Sequence, residues 1–222
     1  GEDRAVVFPG GGAGTASAPS ALPVVGSALF LDAGSLFLSR AAVLQTNGRW
    51  RSPSWSDVVL VGPGQDVTFA EPVDGERIGA LARALSATFA LGVASSLLDA
   101  AVAHARDRVQ FGVPIGTQQA VKHSLADAWI DLAHARALVA GGVRQLDAGD
   151  VGAHRVVAMG KDKAGRATQR SAERCLQVFG GIGFTWEHRT HDALKTVARL
   201  RHYPATAAAL RAELLSASTR AY

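Results

Sequence analysis

From Glu76 onward, apolar residues recur every three or four positions: Ile78, Leu81, Leu85, Phe89, Val93, Leu97 and Ala101. That spacing predicts an amphipathic helix. Gly112, Pro114 and Gly116 break it. A second stripe follows, at Val121, Leu125, Trp129, Leu132, Val139, Val143 and Leu146, and Gly149-Asp150-Val151-Gly152 ends it. The pattern predicts a third helix from His154 to about Val178, stopped by the glycines at 180, 181 and 183. A fourth helix is expected from near His188 to about Leu200, and a fifth from about Ala205. Long helices joined by short glycine turns fit an antiparallel bundle.

Before Glu76 the pattern differs. Strand-length apolar runs occur at Ala5–Phe8, Ala28–Leu31, Ser35–Leu38 and Asp57–Val61. Gly62-Pro63-Gly64 reads as a turn, and Gln65–Phe69 is expected to pair back as a hairpin. Gly10–Gly14 with the Ser and Pro beyond it reads as a flexible loop. No Lys-Ser or Lys-Thr follows, so it is not taken as a phosphate loop. The expectation is a mainly α fold, with a β-rich segment over 1–75 and a helical bundle over 76–222.

Composition adds limits. With 48% hydrophobic and 19% charged residues, a chain of 222 residues can bury a real core. The net charge of +4 comes almost wholly from arginine, since Lys122, Lys161, Lys163 and Lys195 are the only lysines. Arginine suits bidentate recognition of phosphate. The arginines form no basic run, which argues against nucleic acid. The lone Cys175 permits no internal disulfide and fits a reducing cytosol. No run reaches the roughly 20 apolar residues of a membrane span, and the start has no signal-peptide character. A soluble, cytoplasmic protein is expected. His123, His134 and His154 have no metal-ligand spacing, so no metal site is expected.

Two motifs carry chemistry. The first is Arg106-Asp107-Arg108-Val109-Gln110-Phe111-Gly112-Val113-Pro114-Ile115, with Gln119 beyond it. The second is Gln177-Val178-Phe179-Gly180-Gly181-Ile182-Gly183-Phe184-Thr185-Trp186-Glu187-His188. Arg108 closes a helix, where a guanidinium can meet a pyrophosphate. Gly180 and Gly181 lack a Cβ, so a ligand can approach the backbone there. They can equally form a helix C-cap. Gln119 and Gln177 can bond phosphate or adenine, and Phe111 offers a flat apolar wall or core packing. Thr185 can cap the next helix with Glu187 near its dipole, so neither Glu187 nor His188 is taken as catalytic.

The order and separation of these motifs resemble the acyl-CoA dehydrogenase family, closely over 77–222 and loosely over 1–75. The resemblance implies that Arg108, Phe111, Gly112, Gln119, Gln177, Gly180 and Gly181 hold FAD. It implies that the first motif meets the flavin from one subunit and the second from a neighbour, in a dimer or a dimer of dimers. Family members oxidise an acyl-CoA between Cα and Cβ, with a glutamate as base. The two positions where that base occurs fall here on Ala82 and Pro204, and neither side chain can accept a proton. Glu76 lies six residues too early for the first position and Glu213 nine too late for the second. The family's N-terminal helical domain has no counterpart in the sequence, and its β domain is shortened. The resemblance thus points to an FAD-binding subunit of a heteromeric acyl-CoA dehydrogenase. A larger partner subunit would bring the base and the acyl pocket, for a bulky ester such as a steroid side chain. A non-catalytic scaffold and a divergent flavoenzyme using oxygen stand as alternatives.

Overall fold

The computed structural model describes seven strands between residues 4 and 66, by their backbone, and the continuous chain over 74–219, with side chains over 74–216. The chain divides into two units: residues 1–82 with 203–206, and residues 83–202 with 207–222.

In the first unit the strands are β1 (Arg4–Pro9), β2 (Thr15–Pro19), β3 (Ser27–Asp32), β4 (Ser35–Ser39), β5 (Ala42–Gln45), β6 (Trp55–Leu60) and β7 (Gln65–Asp66). They form one sheet in the order β5-β6-β2-β1-β3-β4-β7. All pairs are antiparallel except β1 with β3. Two expectations change. The residues after Gly14 form β2 rather than loop, because β1 and β6 flank them. Gln65–Asp66 pairs with β4, not back onto β6. Gly10–Gly14, Gly62–Gly64 and Val67–Phe69 lie outside the described residues.

Five helices follow: α1 (Gly75–Asp107), α2 (Gln119–Ala148), α3 (Ala153–Phe179), α4 (Arg189–His202) and α5 (Ala207–Thr219). Glycines at positive φ end two of them, Gly149 after α2 and Gly180 after α3. Helix α3 is the axis of the bundle and packs against α2, α4 and α5. It buries residues almost all round, among them Val157, Ala164, Ala167, Thr168, Ala172 and Cys175. Its contact with α2 is close because each helix puts a glycine opposite the other. A Cβ on Gly142 would sit 3.0 Å from Val157, and one on Gly160 would sit 3.1 Å from Val139.

The buried stripe of α1 is not the one its bulky residues suggest. Ala84, Ala87, Leu91, Ala94, Leu98, Ala101 and Ala105 are buried at spacings of three and four. Leu85 and Phe89 point outward, 70% and 51% exposed. On α2, Leu125, Ala128, Leu132, Ala135, Val139, Gly142 and Leu146 are buried, while Trp129 is 66% exposed. Alanine and glycine let helix backbones approach closely, so the small face turns inward and part of the bulky face is left out. Helix α1 is also long and apolar enough to cross a bilayer by length and composition, contrary to the sequence reading. Its buried stripe belongs to the core of the helical unit.

Candidate functional site

Arg108 follows the last residue of α1. Its N–H donates to the His104 carbonyl (2.8 Å), and its carbonyl accepts from the Ile115 N–H (2.8 Å). The backbone is therefore pinned on both sides of the guanidinium. That side chain makes no ion pair or hydrogen bond among the described residues.

Beyond it, β8 (Val109–Gln110) pairs with β9 (Val113–Pro114) in a hairpin that the sequence pattern did not reveal. Phe111 and Gly112 form its two-residue turn at φ 52° and 81°. Tight hairpins favour positive φ at both central positions. Glycine adopts this freely, whereas an L-aromatic pays a steric penalty. Phe111 is nonetheless there, and it is 96% exposed. The sequence left open whether it is core, and the structure places it outside. The hairpin returns into a 3₁₀ turn, Ile115–Thr117, packed under α1: a Cβ on Gly116 would lie 2.8 Å from the Ala105 carbonyl oxygen. Gln119, exposed, opens α2.

The second motif closes α3. Gly180 takes φ 63°, ψ −142°, a region open in practice to glycine alone, and its N–H donates to carbonyls of Leu176 and Gln177. Gly180 is thus a helix cap, as one reading of the sequence had it. Gly181 is different. It has no positive φ, and a Cβ there would meet nothing within 4 Å. Nothing in the chain itself demands glycine at that position, and the space before it is open. Gln177 is exposed beside it.

Thr185 does not cap α4. Its hydroxyl donates back to the Ile182 carbonyl (3.0 Å). His188 takes that role, its Nδ1 accepting from the Thr190 N–H at 3.3 Å and lying 2.6 Å from the Thr190 hydroxyl.

The two motifs meet within one chain. The Phe179 ring lies 5.2 Å from His104, one turn before Arg108, and 4.4 Å from His188. Burial, then the charges of Arg108 and His188, hold the His104 pKa below its ordinary value, against a smaller opposing pull from Asp107. The resemblance implied that the motifs reach one nucleotide from different subunits. Within one chain the bases of the two motifs adjoin.

The chemistry of these residues is compatible with a dinucleotide: a guanidinium without an ion pair among the described residues and two exposed glutamines can bond phosphate or polar ring edges, and the open backbone at Gly181 leaves room for close approach.

Ala82 and Pro204, onto which the sequence resemblance maps the family's base positions, lie on α1 and between α4 and α5. Glu213 is engaged by Arg83 at 2.8 Å, and Glu76 is exposed in the first turn of α1.

Comparison with known proteins agrees with this anatomy. Residues 79–211 match the family model described as acyl-CoA dehydrogenase, C-terminal domain. Acyl-CoA dehydrogenase FadE34 of Mycobacterium tuberculosis is 35% identical over 174 residues, which is 69% of this chain and 24% of FadE34. Among solved structures, a Tcur3481-Tcur3483 steroid ACAD variant has a TM-score of 0.80 at 24% identity, over 98% of this chain and 63% of that one. The ChsE4-ChsE5 complex from Mycobacterium tuberculosis has a TM-score of 0.74, also at 24% identity, over 99% of this chain and 63% of that one. At these identities the likeness of structures is one of fold. The chain spans about a quarter of FadE34 and under two thirds of both structures. With the family model covering most of its helical part, the chain belongs to the acyl-CoA dehydrogenase family, through that family's C-terminal domain.

Proposed function

We propose that this chain is an FAD-binding subunit of a heteromeric, cytoplasmic acyl-CoA dehydrogenase. The assembly introduces an α,β double bond into an acyl-CoA thioester, of the steroid side-chain type or similarly bulky. A larger family member would supply the carboxylate base and the acyl pocket. One combination carries this reading: the nucleotide corner keeps its features, while both base positions hold residues that cannot take a proton. A pure scaffold would have no use for an unpaired Arg108, an unneeded glycine at 181 or an outward Phe111 in a costly conformation.

FAD, when bound, supplies the acceptor for the hydride leaving Cβ. The chain's own residues would bind and orient. Arg108 offsets pyrophosphate charge, and Gln119 and Gln177 bond polar edges. The backbone at Gly180–Gly181 allows close approach, and Phe111 with Gly112 covers an apolar surface. The names of the steroid ACAD variant and the ChsE4-ChsE5 complex support the choice of substrate class and the heteromeric partner.

The test is co-expression with a full-length family member from the same genome. A yellow complex that dehydrogenates an acyl-CoA is expected. In it, Arg108→Ala should weaken FAD retention on the order of tenfold to a hundredfold, with circular dichroism unchanged. A colourless complex, or unchanged flavin occupancy in the variant, would remove the case.

A further inference from the structure

Trp186 has no part in the reading above. It lies five residues beyond Gly181, and successive turns hold it near. The Thr185 N–H donates to the Ile182 carbonyl (3.1 Å), and the His188 N–H donates to the Thr185 carbonyl (3.3 Å). Each such turn brings its ends within about 7 Å. The indole is braced by two cation-capable side chains. The His191 ring lies 4.1 Å away, tilted by 59°, and the Lys195 Nζ sits 4.8 Å from the ring centre. It is nevertheless 70% exposed. An exposed indole fixed in place loses little conformational freedom on binding, which is the condition for a useful stacking surface.

The motifs carry outward aromatics, Phe111 on the first and Phe184 and Trp186 on the second, and Trp186 is held by ring and cation contacts. A dinucleotide offers a ring system at each end of its pyrophosphate.

We propose that Trp186 is a stacking platform for the adenine ring of the nucleotide docked at this corner. The proposal rests on the flavin reading for its setting. Adenine occurs in both FAD and coenzyme A, and stacking on an aromatic face serves either.

The test uses the co-purified complex, stripped of flavin and titrated with FAD, FMN, ADP and coenzyme A. Wild type is compared with Trp186→Ala and Trp186→Phe. Trp186→Ala should weaken FAD and ADP about tenfold or more. FMN, which has no adenine, should be unaffected, and Trp186→Phe should recover most of the affinity. If coenzyme A and ADP respond while FAD does not, the platform holds and its adenine is that of the thioester carrier. Equal losses for FAD and FMN, or no dependence of any adenine nucleotide on Trp186, overturn the proposal. Loss of partner binding alone does so as well, since the indole then serves a protein interface. If wild type takes up no FAD yet ADP still depends on Trp186, the flavin reading fails and the platform stands.

Discussion

Phe111 holds a conformation that costs an L-residue about 1–2 kcal/mol and buries almost nothing in return. Such strain persists where a site uses it. Phe111→Gly should therefore leave stability unchanged or raise it by up to about 1 kcal/mol, while flavin retention falls. Thermal unfolding and flavin occupancy, measured on the same variant, check the opposite directions. Marked destabilisation would mean that the phenyl supports the fold instead. His104 gives a second residue-scale prediction. Its folded pKa lies below 6.5, so the native state favours the neutral ring. Its contribution is fully present above pH 6.5 and is lost as pH falls through the folded value. Acidification from about pH 7 to about pH 5 should loosen the Phe179 corner and release flavin, and His104→Gln should flatten that profile. The motifs singled out Arg108, Gln119 and Gln177 in the sequence, and all three are exposed. The positive φ of Phe111 was not legible there, because no aromatic residue advertises a turn that glycine or asparagine would normally fill.

The helices were largely legible, because repeated glycines mark their ends. The third was expected over His154–Val178 and runs over Ala153–Phe179. The faces were less so. On α1 a reading by bulk chose Leu85 and Phe89 for the core, but alanine packs there. Two-residue strands such as β8 and β9 carry too few positions for a period to register. Lys161 on α3 was also unforeseen. It is 2% exposed, and its Nζ donates to the carbonyl of Leu200, in the last turn of α4. Carbonyls there lack a helical partner and attract a cation. Burial still draws the Lys161 pKa down to about 8, opposed by Asp162. The unfolded chain, near 10.5, thus holds the proton more tightly than the folded one. Stability from this group should rise with pH between about 8 and 10.5 and be lost as pH falls back through 8. The Tm difference between wild type and Lys161→Met, followed from about pH 7 to about pH 10, should move in favour of wild type as pH rises. A flat difference would show that the cation is fully accommodated by the end of α4.

At the scale of the molecule, the inward turn of small residues has an outward consequence. Leu85, Phe89 and Gly92 follow at i, i+4 and i+7 along α1, all exposed, and Trp129 and Ile130 are exposed on α2. Gly92 has no positive φ, and a Cβ there would meet nothing within 4 Å. Glycine inside a helix costs roughly 1 kcal/mol relative to alanine, so its presence suits a surface that something else approaches. Large apolar side chains on a soluble surface mark contact sites or aggregation hazards, and a partner that binds the folded state stabilises it by mass action. The chain expressed alone should therefore be poorly soluble or flavin-free, and co-expression with a larger family member should rescue it. Leu85→Gln with Phe89→Lys should keep full helicity, improve solubility of the lone chain and abolish capture of the partner. A lone wild-type chain that is yellow, monodisperse and active would rule out the requirement for a second subunit. A double variant that still captures the partner would move the interface away from α1.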